Sequence, residues 1–367
     1  MSNMSKPVRV LIVDDSAVMR QLLSTLLSAD PEIEVVGTAS DSFIARDRIK
    51  ALNPDVITLD VEMPGMDGVT FLRKIMTLRP MPVVMFSTLT QAGAEVTLEA
   101  LEIGAVDFVA KPTSNVAAAM AGLAEDLQAK VKAAARTRLH ARRVTPTARP
   151  RERAKLGRST GKIVVIGAST GGVEALKAVL MGLPSDCPPI LITQHMPPRF
   201  TTAFAERLNR ECPMTVSEAA HGDPIEAGHA YIAPGSHHLE LARRGDQLLC
   251  SLNEAPPVSG HRPSVDVLFR SAARLVAKRA VGVILTGMGK DGAQGLLELR
   301  QVGGVTLGQD ENSSLIYGMP RVAFEVGAVM RQFPLGRMSD AIIDACVSDS
   351  TAMKLGDGHA NRALHAG

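Results

Sequence analysis

Five times in the first 125 or so residues, a short apolar run rich in β-branched residues ends on a polar residue and gives way to an amphipathic stretch of helical length. Strand followed by helix satisfies both halves of that pattern, and successive βα units wind around a parallel sheet. The expected strands are Arg9 to Val13, Glu34 to Gly37, Val56 to Leu59, Val83 to Phe86 and Val106 to Val109. Helices are expected at about Ala17 to Ser28, Phe43 to Ala51, Gly68 to Thr77, Ala94 to Glu102 and Val116 to Lys132. Five such units make one α/β domain with a doubly wound parallel sheet over residues 1–125.

The rhythm restarts after Gly161 with a strand at Ile163 to Ile166, a helix from about Val173 and a strand at Ile190 to Gln194. A strand-rich insert runs from about Thr215 to Ser251, where turn signals at Gly222, Gly235 and Gly245 suggest β-hairpins. A helix at Ser264 to Ala277 then leads into a strand at Val281 to Leu285, so residues 161–350 are expected to form a second doubly wound α/β domain. A length of 367 residues, 46% of them hydrophobic, suits two such cores. Residues 351–367 look like a frayed tail.

Between the domains, residues 126–160 are expected to be a linker. From Lys130 to Arg158 there are eleven Lys or Arg against the single acid Glu152, while the whole chain carries a net charge of only +2. Basicity is therefore confined to the connector, which serves as a solvated tether or docks an acidic partner. With no Trp and 3% aromatics, stacking platforms for single-stranded nucleic acid are hard to build. Cys187, Cys212, Cys250 and Cys346 lack the spacing of a zinc or disulfide framework. No apolar run approaches the ~20 residues of a membrane span, and the expectation is a cytoplasmic protein.

Chemistry gathers at the strand ends. The first strand ends in Val13-Asp14-Asp15-Ser16 and the third in Leu59-Asp60, which brings three carboxylates to the edge where doubly wound sheets bind ligands. Packed carboxylates repel unless a cation joins them, and an all-oxygen cluster suits Mg²⁺. Asp60 can then act as a carboxylate nucleophile toward a phosphoryl group. Ser87 ends the fourth strand and Lys111 follows the fifth, so a hydroxyl and an ammonium are available to phosphoryl oxygens. Singly, an acidic pair after a strand is a helix cap and a Lys-Pro is a loop. At four strand ends together they make a pocket.

These segments, DDS, LDVEMPGMDG, FST and KP, resemble the response-regulator receiver family in kind and order. The resemblance implies a flavodoxin-like (βα)5 fold and Asp60 as the phosphorylated aspartate. It also implies Mg²⁺ on Asp14, Asp15, Asp60 and a backbone oxygen near Glu62, phosphoryl contacts from Ser87 and Lys111, and a histidine kinase as donor. Phe108 is a candidate switch aromatic.

In the second half, Gly167-Ala168-Ser169-Thr170-Gly171 satisfies G-x-S-x-G between a strand and a helix. Small flanking residues permit a tight turn that exposes the hydroxyl and leaves backbone N–H groups at the helix start. A phosphate-binding turn is the alternative, but neither G-x-G-x-x-G nor a Walker lysine is present. The next strand ends in His195-Met196-Pro197, one helix and one strand after Ser169, so a base stands at the same sheet edge. His237, His238 and His261 are at most neighbours of a substrate. A third strand end, Thr286-Gly287-Met288-Gly289-Lys290-Asp291-Gly292, carries a carboxylate that can orient the imidazole, unless it only caps a helix. The order Ser, His, Asp departs from the α/β-hydrolase order.

GASTGG, QHMP and TGMGKDG resemble the catalytic domain of the chemotaxis protein-glutamate methylesterase (CheB) family, over nearly all of residues 160–347. The resemblance implies Ser169 as nucleophile, His195 as base, Asp291 as orienter, and oxyanion donors from the backbone of Met288 and Thr170. It implies a phosphorylation-activated esterase that hydrolyses glutamyl methyl esters on chemoreceptors in chemotaxis adaptation, with no cofactor for the ester chemistry, and leaves open whether receptor glutamines are also deamidated. Two competing readings differ in class. A DNA-binding output is disfavoured, because no helix-turn-helix-sized module is visible and the basic residues sit in the linker. A degenerate, protein-binding second domain is separated from an enzyme by an ester-hydrolysis assay with and without Ser169.

Overall fold

The computed structural model describes residues 6–88, 90–111, 116–137 and 161–347. The expected tail, most of the expected linker and Pro112 lie outside the described residues. The chain divides into two compact units, one comprising Met1–Ala148 with Pro197–Phe204 and the other Arg149–Met196 with Ala205–Gly367.

In the first unit, strands β1 (Val8–Val13), β2 (Ile33–Ala39), β3 (Val56–Asp60), β4 (Val83–Ser87) and β5 (Asp107–Ala110) alternate with helices α1 (Ala17–Ser28), α2 (Ser42–Leu52), α3 (Gly68–Leu78), α4 (Gln91–Ile103) and α5 (Val116–Ala135). All strand pairs are parallel, in the order β2-β1-β3-β4-β5. Every residue of β3 and β4 is buried, because helices cover both faces of a parallel sheet. Each fully buried Val, Leu or Ile contributes about 1.5–3 kcal/mol of transfer free energy. Polar residues then set the helix starts: Asp41 accepts from the amides of Phe43 and Ile44 (both 2.9 Å), Asp67 from Thr70 (2.7 Å) and Thr90 from Gly93 (2.9 Å). Gly68 is required where α3 begins, since a Cβ there would lie 1.9 Å from the carbonyl oxygen of Asp60.

The chain reverses its direction of travel across the sheet between β1 and β3, whose last paired residues are Val13 and Leu59. Asp14 and Asp60 therefore leave neighbouring strands at the switch point. One boundary needs correction. The expected linker was to begin at 126, yet α5 continues to Ala135 and buries Leu127, Val131 and Ala134. The basic composition misled because its first lysines serve the fold: Lys130 Nζ lies 3.0 Å from Asp126 and 3.9 Å from Asp107, and Lys132 Nζ lies 2.6 Å from Asp30 and 2.8 Å from Glu32.

From residue 161 the chain runs β6 (Ile163–Ala168), α6 (Gly172–Met181), β7 (Ile190–Gln194), α7 (Phe200–Glu211), β8 (Thr215–Glu218), β9 (His229–Ile232), β10 (His238–Arg244), β11 (Gln247–Asn253) and α8 (Val265–Leu275). After a 3₁₀ turn at Ala277–Arg279 it continues with β12 (Ala280–Ile284), α9 (Ala293–Gln301), β13 (Val305–Gln309), α10 (Met319–Glu325), β14 (Arg331–Phe333) and α11 (Leu335–Val347). A seven-stranded parallel sheet has the order β14-β13-β12-β6-β7-β9-β8.

Of the strand-rich insert, only β10 and β11 pair as an antiparallel hairpin, turning at Gly245 with φ +60°. The first two strands, β8 and β9, instead extend the main sheet in parallel. The hairpin is fastened to α8, where the Leu241 amide donates to Ser271 Oγ at 3.0 Å. Strand β6 lies between β7 and β12, so the carboxyl ends of three strands converge at one place.

Candidate functional site

Two polar constellations occupy strand ends, one in each sheet. In the first, Asp14 and Asp60 are 0% and 1% exposed while Asp15 is exposed, and each offers an oxygen within 4.8 Å of the others. Lys111 Nζ lies 2.7 Å from Asp60 Oδ1 and 3.8 Å from Asp14 Oδ2. Amides of Glu62 and Ser16 donate to Asp60 Oδ1 (3.2 Å) and Asp14 Oδ1 (2.9 Å). Asp14 Oδ2 and Asp60 Oδ2 are buried without a hydrogen-bond partner. Burial pushes the Asp60 carboxyl up to about 6 against the pull of Lys111, with Asp14 adding to the rise; burial also raises Asp14. Desolvated, unpartnered carboxylate oxygens fit a hard divalent cation with oxygen ligands.

The remaining expected residues are nearby but turned to other partners. Ser87 is fully buried at the end of β4; its hydroxyl donates to the Gly93 carbonyl at 3.3 Å and accepts from Thr97 Oγ1 at 2.7 Å. The Glu62 carboxylate accepts from Thr88 Oγ1 at 3.1 Å. Phe108 lies in β5, 4% exposed, and its carbonyl accepts from Lys130 Nζ at 2.7 Å.

In the second constellation, Ser169 follows β6 and His195 follows β7, directly after the paired residues Ala168 and Gln194. The turn after Ser169 closes through Gly172 N to Ser169 O (2.7 Å), with Gly171 at φ +77° capping α6. The Ser169 amide donates to Thr286 O at 3.0 Å, at the end of β12. A Cβ on Gly287 would come 2.8 Å from Ser169 Cβ, which is why glycine stands there.

His195 Nε2 lies 2.8 Å from Asp291 Oδ2. Asp291 is 1% exposed and also accepts from Ser264 Oγ (2.8 Å) and the amides of Val265 (2.7 Å) and Asp266 (3.0 Å) at the start of α8. Burial raises this carboxyl, but the His195 contact and the α8 amides outweigh burial and hold it below the usual Asp range. An ionised Asp291 accepts from a donor, so Nε2 carries a hydrogen and Nδ1 is the ring nitrogen left to act as the base. Nδ1 is buried and has no hydrogen-bond partner among the described residues, so it is not bonded to the Ser169 hydroxyl in this state. Nucleophile and base of this kind often close their hydrogen bond only with substrate bound. Of the two expected backbone donors, Met288 is half-buried directly after Gly287, and Thr170 is buried, its carbonyl accepting from Thr286 Oγ1 at 3.0 Å.

Several supporting residues escaped the sequence reading. Gln194 Nε2 donates to the carbonyls of Ser169 (3.0 Å) and His195 (3.2 Å), bridging the backbones of both groups. A glutamine beside a strand-end histidine could have been noticed. Ser264 and the α8 amides lie 25 to 27 positions before Asp291 and share no motif with it.

A family model described as CheB methylesterase matches residues 164–342, and one described as response regulator receiver domain matches residues 10–120. The chain is 53% identical over 349 residues to the protein-glutamate methylesterase/protein-glutamine glutaminase 2 of Pseudomonas aeruginosa, covering 95% of this chain and 100% of that protein. It is 58% identical over 339 residues to the protein-glutamate methylesterase/protein-glutamine glutaminase 1 of Caulobacter vibrioides, covering 92% and 97% respectively. Among solved structures it is similar to the CheB methylesterase catalytic domain of Thermotoga maritima, at 37% identity, 50% of this chain, 98% of that one and a TM-score of 0.49.

Proposed function

This chain belongs to the CheB methylesterase family, and we propose that it is a protein-glutamate methylesterase whose serine esterase activity is raised by phosphorylation of its receiver. The substrates are γ-glutamyl methyl esters on chemoreceptors, the phosphoryl donor is the histidine kinase of the same chemotaxis system, and the setting is the cytoplasm. No helix among the described residues is long and apolar enough to cross a membrane. In this reading the receiver occupies the chain from its start through α5, a basic linker follows, and the catalytic domain spans 161 to about 350.

One observation carries the chemistry: a buried imidazole held by Asp291 at Nε2, with Nδ1 unpartnered, at the strand end next to Ser169. Ser169 Oγ attacks the ester carbonyl carbon while its proton passes to His195 Nδ1. Backbone N–H groups of Met288 and Thr170 receive the developing oxyanion. The carbon–OMe bond breaks, the imidazolium returns its proton to the departing methoxide, and methanol leaves an acyl-enzyme on Ser169. His195 then takes a proton from water, whose oxygen attacks the acyl carbon; glutamate is released and Ser169 recovers its hydrogen. Asp291 stays ionised and stabilises the imidazolium. No cofactor enters these steps.

Control resides at Asp60, whose carboxylate attacks phosphorus as the P–N bond of a phosphohistidine breaks. Asp14, Asp15 and Asp60, with a backbone oxygen near Glu62, would hold Mg²⁺, which when bound neutralises charge between carboxylates and phosphoryl oxygens. Lys111 pairs with the phosphoryl group, and Ser87 reaches it once its hydroxyl leaves Thr97 and Gly93.

The named relatives are also protein-glutamine glutaminases. The same attack on a glutamine side chain expels ammonia in place of methanol. Mass spectrometry of receptor fragments tests both: a methylated fragment should lose one methylene, and a glutamine-bearing fragment should exchange NH₂ for OH. An unchanged methylated fragment would refute the esterase reading.

A further inference from the structure

We propose that His261 is a positioning residue for the esterase, and that the loop carrying it is built to press its ring onto the face of His195. The inference rests on the methylesterase reading and adds a residue to it. The two imidazoles are stacked, with centroids 3.7 Å apart and planes 11° from parallel.

Among the described residues His195 has a single in-plane tether. Its Nε2 is held by Asp291, and its Nδ1 has no hydrogen-bond partner. One hydrogen bond at one ring atom fixes the distance but leaves the ring free to twist about the bond. Twisting moves Nδ1 out of line with Ser169. A flat group against the face removes that freedom, and the His261 ring is such a group. Stacking also shields that face from water.

The loop, between β11 and α8, is tied at both ends. His261 closes a two-residue turn with Val258, whose amide and carbonyl each pair with those of His261 at 3.0 Å. Ser259 and Gly260 at its tip have φ of +53° and +82°, the left-handed pair that a tight hairpin turn requires. Arg262 Nη1 donates to the carbonyl of Glu254 at 2.7 Å, drawing the start of the loop onto its end.

A buried histidine locks the base of the loop. His238, 1% exposed, accepts from the Ser264 amide at Nδ1 (3.1 Å), so its other nitrogen carries the hydrogen and donates to the Pro256 carbonyl (3.2 Å). Ser264 in turn donates to Asp291. The segment that orients the acid thus also carries the ring that orients the base.

The test uses the full chain with Mg²⁺, a small phosphodonor and a methylated receptor fragment. His261→Ala and His261→Leu, the latter keeping bulk without a flat ring, should lower kcat by about 10- to 100-fold, the range expected when a reacting group is misplaced by a fraction of an ångström to an ångström. KM should stay within about threefold, since the loss is in orientation and not in substrate binding. His261→Phe, which restores a flat ring without a titrating group, should recover most of kcat. Melting curves establish that each variant is folded. The proposal is overturned if folded His261→Ala or His261→Leu keeps kcat within twofold of the parent, if the loss falls on KM, or if His261→Phe is as slow as His261→Leu. A parent chain that releases no methanol would instead refute the underlying esterase reading.

Discussion

Asp291 accepts hydrogen bonds from one hydroxyl, two helix-start amides and an imidazole, a set that demands an ionised carboxylate. Asn at this position would turn one acceptor into a donor facing those groups. Asp291→Asn should therefore cost about 1.5–3 kcal/mol of catalytic-domain stability at neutral pH, together with most of the activity. The folded state holds this carboxyl below its ordinary value of 3.8, so its stabilising contribution is fully present above that pH and lost as the pH falls through the lowered value. The stability gap between parent and Asp291→Asn should accordingly narrow in acid below about pH 4; a gap that stays constant from neutral pH downward would contradict the assignment. Gly287 is constrained by space: a Cβ would lie 2.3 Å from Met319 Sδ and 2.8 Å from Ser169 Cβ. Gly287→Ala should lower kcat at least tenfold in protein that still folds, because the turn holding Ser169 must shift. Unchanged kinetics would show that the turn can yield without moving the serine.

Strands delivered the site to the sequence reading because fully buried parallel strands are continuous apolar runs, and the residue after each run is conspicuous. Asp14 and Asp60 in one sheet, and Ser169 and His195 in the other, stand at such ends, and Asp291 lies in the glycine-rich turn after a third, so the grouping within each sheet was legible before any coordinates. Short strands were less so. Runs like those of β8 and β9, four residues each, do not say whether they pair with each other as a hairpin or extend a distant sheet. The helix α5 was read to within three residues of its end, but the start of the linker was set too early by lysines whose carboxylate partners lie elsewhere in the fold or one turn back. Gln194, Ser264 and His261 act through contacts that only the folded chain creates. Mg²⁺ should raise the melting temperature of the receiver, and Mg²⁺ with a small phosphodonor should label it with a base-labile acyl phosphate. Asp60→Asn should abolish the labelling and weaken the Mg²⁺ effect. Labelling that persists in Asp60→Asn, or that needs no divalent ion, would count against the pocket.

Two sheets, each with polar groups at its strand ends, are joined by a segment of basic composition, so in the proposed function control at Asp60 has to act on a nucleophile in the other unit. A tether keeps the two units at high mutual concentration, which lets a modest phosphorylation-dependent preference alter activity. Phosphodonor should therefore raise demethylation by the full chain, and a chain lacking residues 1 to about 150 should be indifferent to it. A truncated chain that still responds to phosphodonor would remove the receiver from the account. The central claim is that Ser169 is the nucleophile of a glutamyl methyl esterase, and methanol release measures it most directly. With a methyl-labelled receptor fragment, the phosphorylated parent should release labelled methanol over many turnovers, and folded Ser169→Ala should be slower by about 10⁴- to 10⁶-fold. Release by Ser169→Ala within tenfold of the parent, or none from the parent, would contradict it.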